Sequence, residues 1–264
     1  MTWYTGDSTY DTLLALGLGF AAFVFAVSWF LPSPYGRFAS KRFGVSVNPR
    51  LGWFLMELPA TVSFLAFFAL GPRRGELVPQ VLLGIWLIHY GNRGFFFPFS
   101  LRVARGEKGT FSLLVISIGW LVTTLHGYLH ATYFTRLGQH YGPEWLTDPR
   151  FLGGVALWAT SLALNIRSDA TLRNLRTREE VAAGVREYRI PRGGLYRWVT
   201  SPSYLTELCA WAGFALFTWS LASVFILAIS AANLVPRAWA THRWYLERFP
   251  DYPKERKALV PFVW

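Results

Sequence analysis

One cysteine, Cys209, stands in 264 residues, which excludes an internal disulfide and any thiolate metal cluster. Charge is scarce, at 16% of residues, where soluble domains carry roughly a quarter. Acidic residues are the rarer sign, 15 against 26 basic ones, and the formal net charge is +11. In a soluble chain that excess would point to nucleic acid. Here the basic residues lie in loops between long apolar runs, so a nucleic-acid partner is excluded. Five histidines are too few for a histidine-box di-iron membrane oxygenase. No glycine-rich turn joins a strand to a helix. Gly17-Leu18-Gly19 lies inside an apolar run, so any nucleotide is bound without a Rossmann fold. The opening MTWYTGDSTYD has no lysine or arginine and lacks the basic start of a signal peptide.

What is abundant is apolar sequence, 53% of residues, which marks an integral membrane protein. Seven apolar segments stand out: Thr12–Leu31, Leu51–Leu70, Leu77–Phe99, Phe111–Phe134, Phe151–Ile166, Tyr204–Trp219 and Leu221–Pro236. Thr12–Leu31 is expected as a retained first span. Most segments reach the roughly 20 residues that cross a bilayer. The last two must form a hairpin turning near Ser220. The expected fold is therefore all-α, one membrane domain over residues 1–264 with seven transmembrane helices.

Basic residues orient that array. With the N-terminus outside, inside loops hold Arg37, Lys41, Arg42, Arg50, Arg93, Arg102, Arg105 and Lys108. They also hold the eight arginines of 165–198 and six basic residues of the tail. Only Arg73, Arg74, Arg136 and Arg150 remain outside. The N-terminus is thus expected outside or lumenal and the C-terminus cytosolic.

The long polar stretch Asn165–Trp198 is the natural seat for a multiply charged ligand. Asn165, Asp169 and Arg176 follow one another at i, i+4, i+11 on an expected helical face. A segment over 167–203 and the tail over 237–264 are expected to bind nucleotide on the cytosolic side. Ionisable groups inside spans are costly, about 2.5–3.5 kcal/mol each, and need partners or a cavity. Glu57 lies about 9 Å inward from the cytosolic end of its span, and Tyr90 about 13 Å, at about 1.5 Å per residue. Arg93 and Asn92 extend that strip. Glu207, Arg237, His242 and Tyr245 converge on the same side. His126 and His130, at i, i+4, resemble a metal pair. Their place near the outer end of the fourth span is expected to set them apart from the other groups, and no metal is expected.

Several motifs together resemble one family. They are Trp53-Phe54-Leu55-Met56-Glu57-Leu58-Pro59, His89-Tyr90 with Arg93, and Asn165-Ile166-Arg167-Ser168-Asp169. Tyr188-Arg189-Ile190-Pro191 with Gly193-Gly194-Leu195 and the tail Asp251-Tyr252-Pro253-Lys254-Glu255-Arg256-Lys257-Ala258-Leu259 complete the set. In order and spacing, from about Tyr35 to Trp264, they are similar to steroid 5α-reductases. The resemblance implies NADPH-dependent reduction of the 4,5 double bond of 3-oxo-Δ4-steroids, in a bilayer. It implies Glu57 and Tyr90 as catalytic groups at the 3-oxo oxygen, with Trp53 and Met56 beside the substrate. It also implies an NADPH pocket of Tyr35, Arg37, Arg93, Asn165, Asp169, Arg176, Tyr188, Arg189, Glu207, Trp211, Arg237, Tyr245 and Arg256.

Three positions depart from the family pattern. Met56 replaces a glutamine common in animal members, Ser203 replaces an asparagine, and Ala240-Thr241 interrupt a histidine cluster before His242. A monomer is expected, in a bacterial inner membrane or the endoplasmic reticulum. Ser201-Pro202-Ser203-Tyr204 and the tail also resemble membrane methyltransferases using S-adenosylmethionine. A seven-span receptor or transporter is the third reading.

Overall fold

The computed structural model describes residues 4–104 and 109–264, apart from the side chain of Lys41. Arg105 and Lys108, counted above among the inside charges, lie outside the described residues. The long helices are α1 Ser8–Ser28, α2 Pro49–Leu70, α3 Leu77–Tyr90 and α4 Leu113–Thr132. They are followed by α5 Pro149–Arg173, α6 Pro202–Thr218 and α7 Leu221–Arg248. Among the described residues, four helical stretches are long and apolar enough to cross a membrane: Ser8–Ser28, Pro49–Leu70, Leu113–Leu137 and Leu221–Arg248. α3 and α6 are shorter, at 14 and 17 residues, and α5 carries charge at both ends.

Polar residues start these helices for a local reason. Asp7, Asn48, Ser112, Asp148 and Ser220 each accept a backbone N–H of the first turn, satisfying a donor that the helix itself leaves open. The α6–α7 hairpin turns at Trp219, whose φ of 48° is left-handed, before Ser220 caps α7. The turn near Ser220 is thus where the sequence places it, with a tryptophan in the conformation usually taken by glycine.

Two irregularities shape the interior. Pro59 lies inside α2 and has no N–H for the Leu55 carbonyl. Trp120 of α4 fills the gap, its indole nitrogen donating to that carbonyl at 2.6 Å. Beyond α3 the chain widens into a π turn over Gly91–Phe96, where the Phe97 N–H reaches back to the Asn92 carbonyl. Pro98 then opens a last helical turn, Phe97–Ser100. The third apolar segment is therefore three consecutive helical pieces.

Helices pack in pairs, α5 on α6, α2 on α4, and α1 on α7. Glycines permit the closest approaches. A Cβ at Gly154 would lie 2.7 Å from the Gly213 carbonyl oxygen, and one at Gly213 would lie 2.7 Å from that of Gly154. Such small-residue contacts draw membrane helices together through backbone van der Waals packing. A two-stranded antiparallel ladder, Ser46–Val47 with Phe111–Ser112, ties the lead-in of α2 to that of α4. Hydropathy gave no sign of it.

The fifth apolar segment ends later than Ile166, since α5 continues to Arg173 and is capped at Asn174. Arg176 therefore does not continue the face of Asn165 and Asp169. Its guanidinium turns back to the Val185 carbonyl at 2.8 Å, and its own carbonyl accepts from Arg102. The seventh helix likewise runs past Pro236 to Arg248, carrying Arg237, His242 and Tyr245 on one continuous element.

Candidate functional site

The inner part of the site is built where α2, α3, α5 and α6 meet. Arg93, in the π turn, donates to the Asp169 carboxylate at 3.2 Å, and its Nε lies 3.4 Å from Glu207. Its guanidinium also lies over the Phe97 ring at 4.6 Å and the Trp53 ring at 5.8 Å. Asn165 joins the same group. Its amide donates to the Ser203 carbonyl at 2.8 Å and to Glu207 at 3.3 Å. One guanidinium thus gathers carboxylates from two helices, which compensates their burial.

Glu57 and Tyr90 face this cluster. Glu57 interacts electrostatically with Arg93 and Glu207, and Tyr90 with Glu57, Glu207 and Arg93. Gly94 gives Glu57 room, because a Cβ there would lie 3.4 Å from the Glu57 Cβ. Trp53 sits edge-on to Tyr35, Phe97 and Phe111, with centroids 5.3–5.6 Å apart. Met56 turns toward α4, where a Cβ at Gly119 would lie 3.1 Å from its sulfur. Trp211 packs on His89 at 4.4 Å.

The outer part is cationic and aromatic. Arg237 spans three partners, donating to Tyr204 Oη at 3.0 Å, the Ser33 carbonyl at 2.8 Å and the Tyr35 carbonyl at 3.0 Å. It also covers the Tyr35 ring at 3.7 Å. Arg37 lies over Trp244 at 4.7 Å, Tyr245 at 4.9 Å and Tyr188 at 5.5 Å. Tyr245 Oη donates to the Arg189 carbonyl at 3.5 Å. Arg189 itself pairs with Glu180 at 2.6 Å and donates to the Leu175 carbonyl at 2.8 Å. That pair holds the Glu180 carboxyl below its ordinary range. Arg176 and Arg189 thus fold the polar segment on itself. Their side chains are engaged by protein groups.

Unmet hydrogen-bonding capacity tests the fit to a nucleotide. Arg37 Nη1, Arg256 Nε and Nη1, and Asn165 Oδ1 are buried without a partner. Leaving buried guanidinium donors open is expensive. Phosphate oxygens are the acceptors that arginine forks match best, and a carboxamide suits Asn165. These residues fit a dinucleotide.

A family model described as 3-oxo-5-alpha-steroid 4-dehydrogenase matches residues 109–264. The 3-oxo-5-alpha-steroid 4-dehydrogenase 1 of Mus musculus is 42% identical over 249 residues, 93% of each chain. The chain belongs to the 3-oxo-5-alpha-steroid 4-dehydrogenase family. The human protein of the same name is 37% identical over 242 residues, 91% of this chain and 90% of its own. A steroid 5-alpha-reductase of Arabidopsis thaliana is 35% identical over 266 residues, 98% of each. The family is one of oxidoreductases acting on CH–CH bonds, and the motifs from Asn165 onward lie within the family-model match.

A further expectation fails. His126 and His130 do not stand apart from the other groups. The His126 ring lies 5.9 Å from Tyr90, 5.4 Å from Trp211 and 4.6 Å from Trp86. Rise per residue gives backbone depth, whereas helical side chains lean toward their own N-terminus. α3 and α4 run in opposite directions, as Trp86 reaches both His126 and His130 while Tyr90 reaches His126. Their side chains therefore lean toward each other. Among the described residues no group of three or more His, Cys, Asp or Glu side chains could hold a metal ion.

Sequence reasoning also passed over His89 and Trp244. His89 Nε2 lies 3.8 Å from Glu207, and Trp244 forms the floor under Arg37. A histidine directly beside the chosen tyrosine was the available signal for the first. Nothing in the sequence marked the second.

Proposed function

We propose that this chain reduces the 4,5 double bond of a 3-oxo-Δ4-steroid, or a related lipid-soluble enone, with NADPH. The observation that carries it is the convergence of Glu57 and Tyr90, from separate helices, beside the Arg93–Glu207–Asp169 cluster. The bound nucleotide supplies the hydride. Glu57 and Tyr90 donate hydrogen bonds to the 3-oxo oxygen, where negative charge develops as the enone becomes an enolate. In this role Glu57 acts as the neutral carboxylic acid, the form that can donate a hydrogen bond. Trp53 and the surrounding aromatic rings keep water from the carbonyl.

Asn165, Asp169, Glu207 and Trp211 would hold the amide and ribose end of the nucleotide. Tyr35, Arg37, Tyr188, Arg237, Tyr245 and Arg256 surround its phosphates. Arg93 orients the carboxylates, while Arg176 and Arg189 order the segment that closes over the site. The fold reads as seven spans, with the N-terminus outside and the nucleotide entering from the cytosol. The protein works as a monomer that takes its steroid from the bilayer.

Purified protein incubated with NADPH and progesterone should consume nucleotide and yield the 5α-reduced ketone. Absence of NADPH oxidation with every 3-oxo-Δ4-steroid tried, in a sample that binds NADPH, would remove this reading.

A further inference from the structure

The turn over residues 260–264 presents apolar surface that the reduction leaves unused. The Val260 and Leu259 N–H groups donate to the Trp264 backbone oxygen at 2.6 and 3.0 Å, and the Trp264 N–H returns to the Val260 carbonyl at 3.1 Å. At the tip Phe262 has a φ of 65°, a conformation that bulky residues rarely take. Phe262 is 78% exposed and Val263 75%. Two adjacent apolar side chains held outward on a hydrogen-bonded turn call for a partner.

The neighbours of the turn say which partner. Trp264 lies 6.4 Å from Trp29 and is stacked on Trp239 at 5.9 Å, while Phe262 lies 6.4 Å from Trp198. Trp29, Trp198 and Trp239 are themselves exposed, and Phe30 and Leu31 continue the apolar surface. Trp29 follows the 21 residues of α1, about 31 Å of helix at about 1.5 Å each. Trp239 stands eighteen residues along α7 from Leu221, about 27 Å. A bilayer's hydrocarbon is about 30 Å thick, so both helices, taken as spans, bring these rings to its boundary. Tryptophan is enriched there because its ring is apolar and its N–H polar. Arg197, next to Trp198, is exposed and carries the sign that anionic headgroups attract.

The same segment leads back to the site. The Lys257 N–H donates to the Trp198 carbonyl at 3.0 Å, and the Thr200 and Ser201 N–H groups donate to the Lys257 and Ala258 carbonyls at 2.8 and 3.2 Å. Thr200 Oγ1 meets Tyr252 Oη at 2.7 Å, and Tyr252 lies under the Arg256 guanidinium at 5.2 Å. Arg256, whose Nε and Nη1 stay open, is thus held by a strap whose far end is the apolar turn.

We propose that the turn over residues 260–264 inserts Phe262 and Val263 into a phospholipid surface at the headgroup–acyl boundary, and that this foothold keeps Arg256 over the nucleotide site. The second half rests on the NADPH reading argued above, and the first does not.

The test uses the full chain in nanodiscs of phosphatidylcholine and phosphatidylglycerol. In a Cys209→Ser background, nitroxides are attached at Phe262→Cys and, as the water-side control, at Glu247→Cys. Glu247 is exposed and lies eight residues beyond Trp239 on α7, about 12 Å. Position 262 should be reached more by oxygen than by water-soluble nickel–EDDA, at a depth of about 5–10 Å, and position 247 the reverse. Equal access of nickel–EDDA to both positions overturns the insertion, whatever the enzyme reduces. Shielding of position 262 from both reagents, with spin–spin broadening between two chains, assigns the face to a second copy and overturns it too. Phe262→Asn/Val263→Ser removes the apolar surface with a residue at 262 that accepts left-handed backbone. It should quicken amide exchange over residues 252–258 and raise the Kd for NADPH about threefold or more, because fewer molecules hold Arg256 in place, with KM for steroid unchanged. Unchanged exchange and Kd in that variant, beside an inserted wild-type turn, overturn the hold on Arg256. An inserted turn in a protein that binds no NADPH supports the foothold and sinks the nucleotide reading instead.

Discussion

The Trp120 indole nitrogen donates to the Leu55 carbonyl at 2.6 Å, the carbonyl that Pro59, four residues on, has no N–H to serve. Thr123, one turn further along α4, donates to the next carbonyl, Met56, at 3.2 Å. The helical turn bearing Glu57 is therefore held by side chains of another helix. Trp120→Phe keeps most of the apolar surface but orphans the carbonyl, at about 1–3 kcal/mol. The expected result is a lower Tm and reduced kcat, read by thermal unfolding in detergent alongside turnover.

Loss of a donor to the developing oxyanion should act on turnover alone. Tyr90→Phe and Glu57→Leu are each expected to lower kcat by about 10²–10³. NADPH affinity, followed by nucleotide-induced thermal stabilisation, should stay within about twofold of wild type. Weakened nucleotide binding with unchanged kcat would reverse the assignment of these residues.

Arg93 pairs with both Asp169 and Glu207. Arg93→Met leaves those carboxylates without it and should destabilise the protein by about 3–5 kcal/mol. The double variant Arg93→Met/Asp169→Asn should recover part of that loss. A double-mutant cycle on unfolding free energies measures the coupling, and strict additivity would show that the pair does not interact.

Arg256 and Arg37 leave guanidinium donors unpaired and should meet the nucleotide's phosphates. Arg256→Ala is expected to raise KM for NADPH by about tenfold or more, as a charge-assisted hydrogen bond contributes about 1.5–3 kcal/mol. KM for steroid should hold. Equal loss of steroid and nucleotide binding would point to a folding defect.

Glu180 is held below its ordinary range first by the Arg189 guanidinium, then by the Thr177 backbone N–H. A depressed carboxyl stabilises the fold above its unfolded value of about 4.3 and loses that contribution as pH falls through the folded value. Hydrogen exchange over residues 175–189 should therefore stay slow at neutral pH and quicken only in acid below that range. Glu180→Gln should exchange fast at neutral pH already.

The sequence alone determined the helical segments, because burial in hydrocarbon demands uninterrupted apolar runs whose length can be counted. It also placed Glu57, Tyr90, Arg93, Asn165, Asp169 and Glu207 near one another, because polar groups inside such runs need partners. The turn near Ser220 was legible because the two apolar runs that adjoin there are together too long for one span. Tertiary structure decided the rest. The rotation of each helix about its axis, and the opposed lean of side chains on antiparallel neighbours, brought His126 to Tyr90. The end of α5 at Arg173 turned Arg176 away from the face of Asp169. The contact of His130 with Ser223 Oγ joins helices whose mutual register has no trace in hydropathy, since an apolar run fixes how far a helix extends and leaves open which of its faces meets which neighbour.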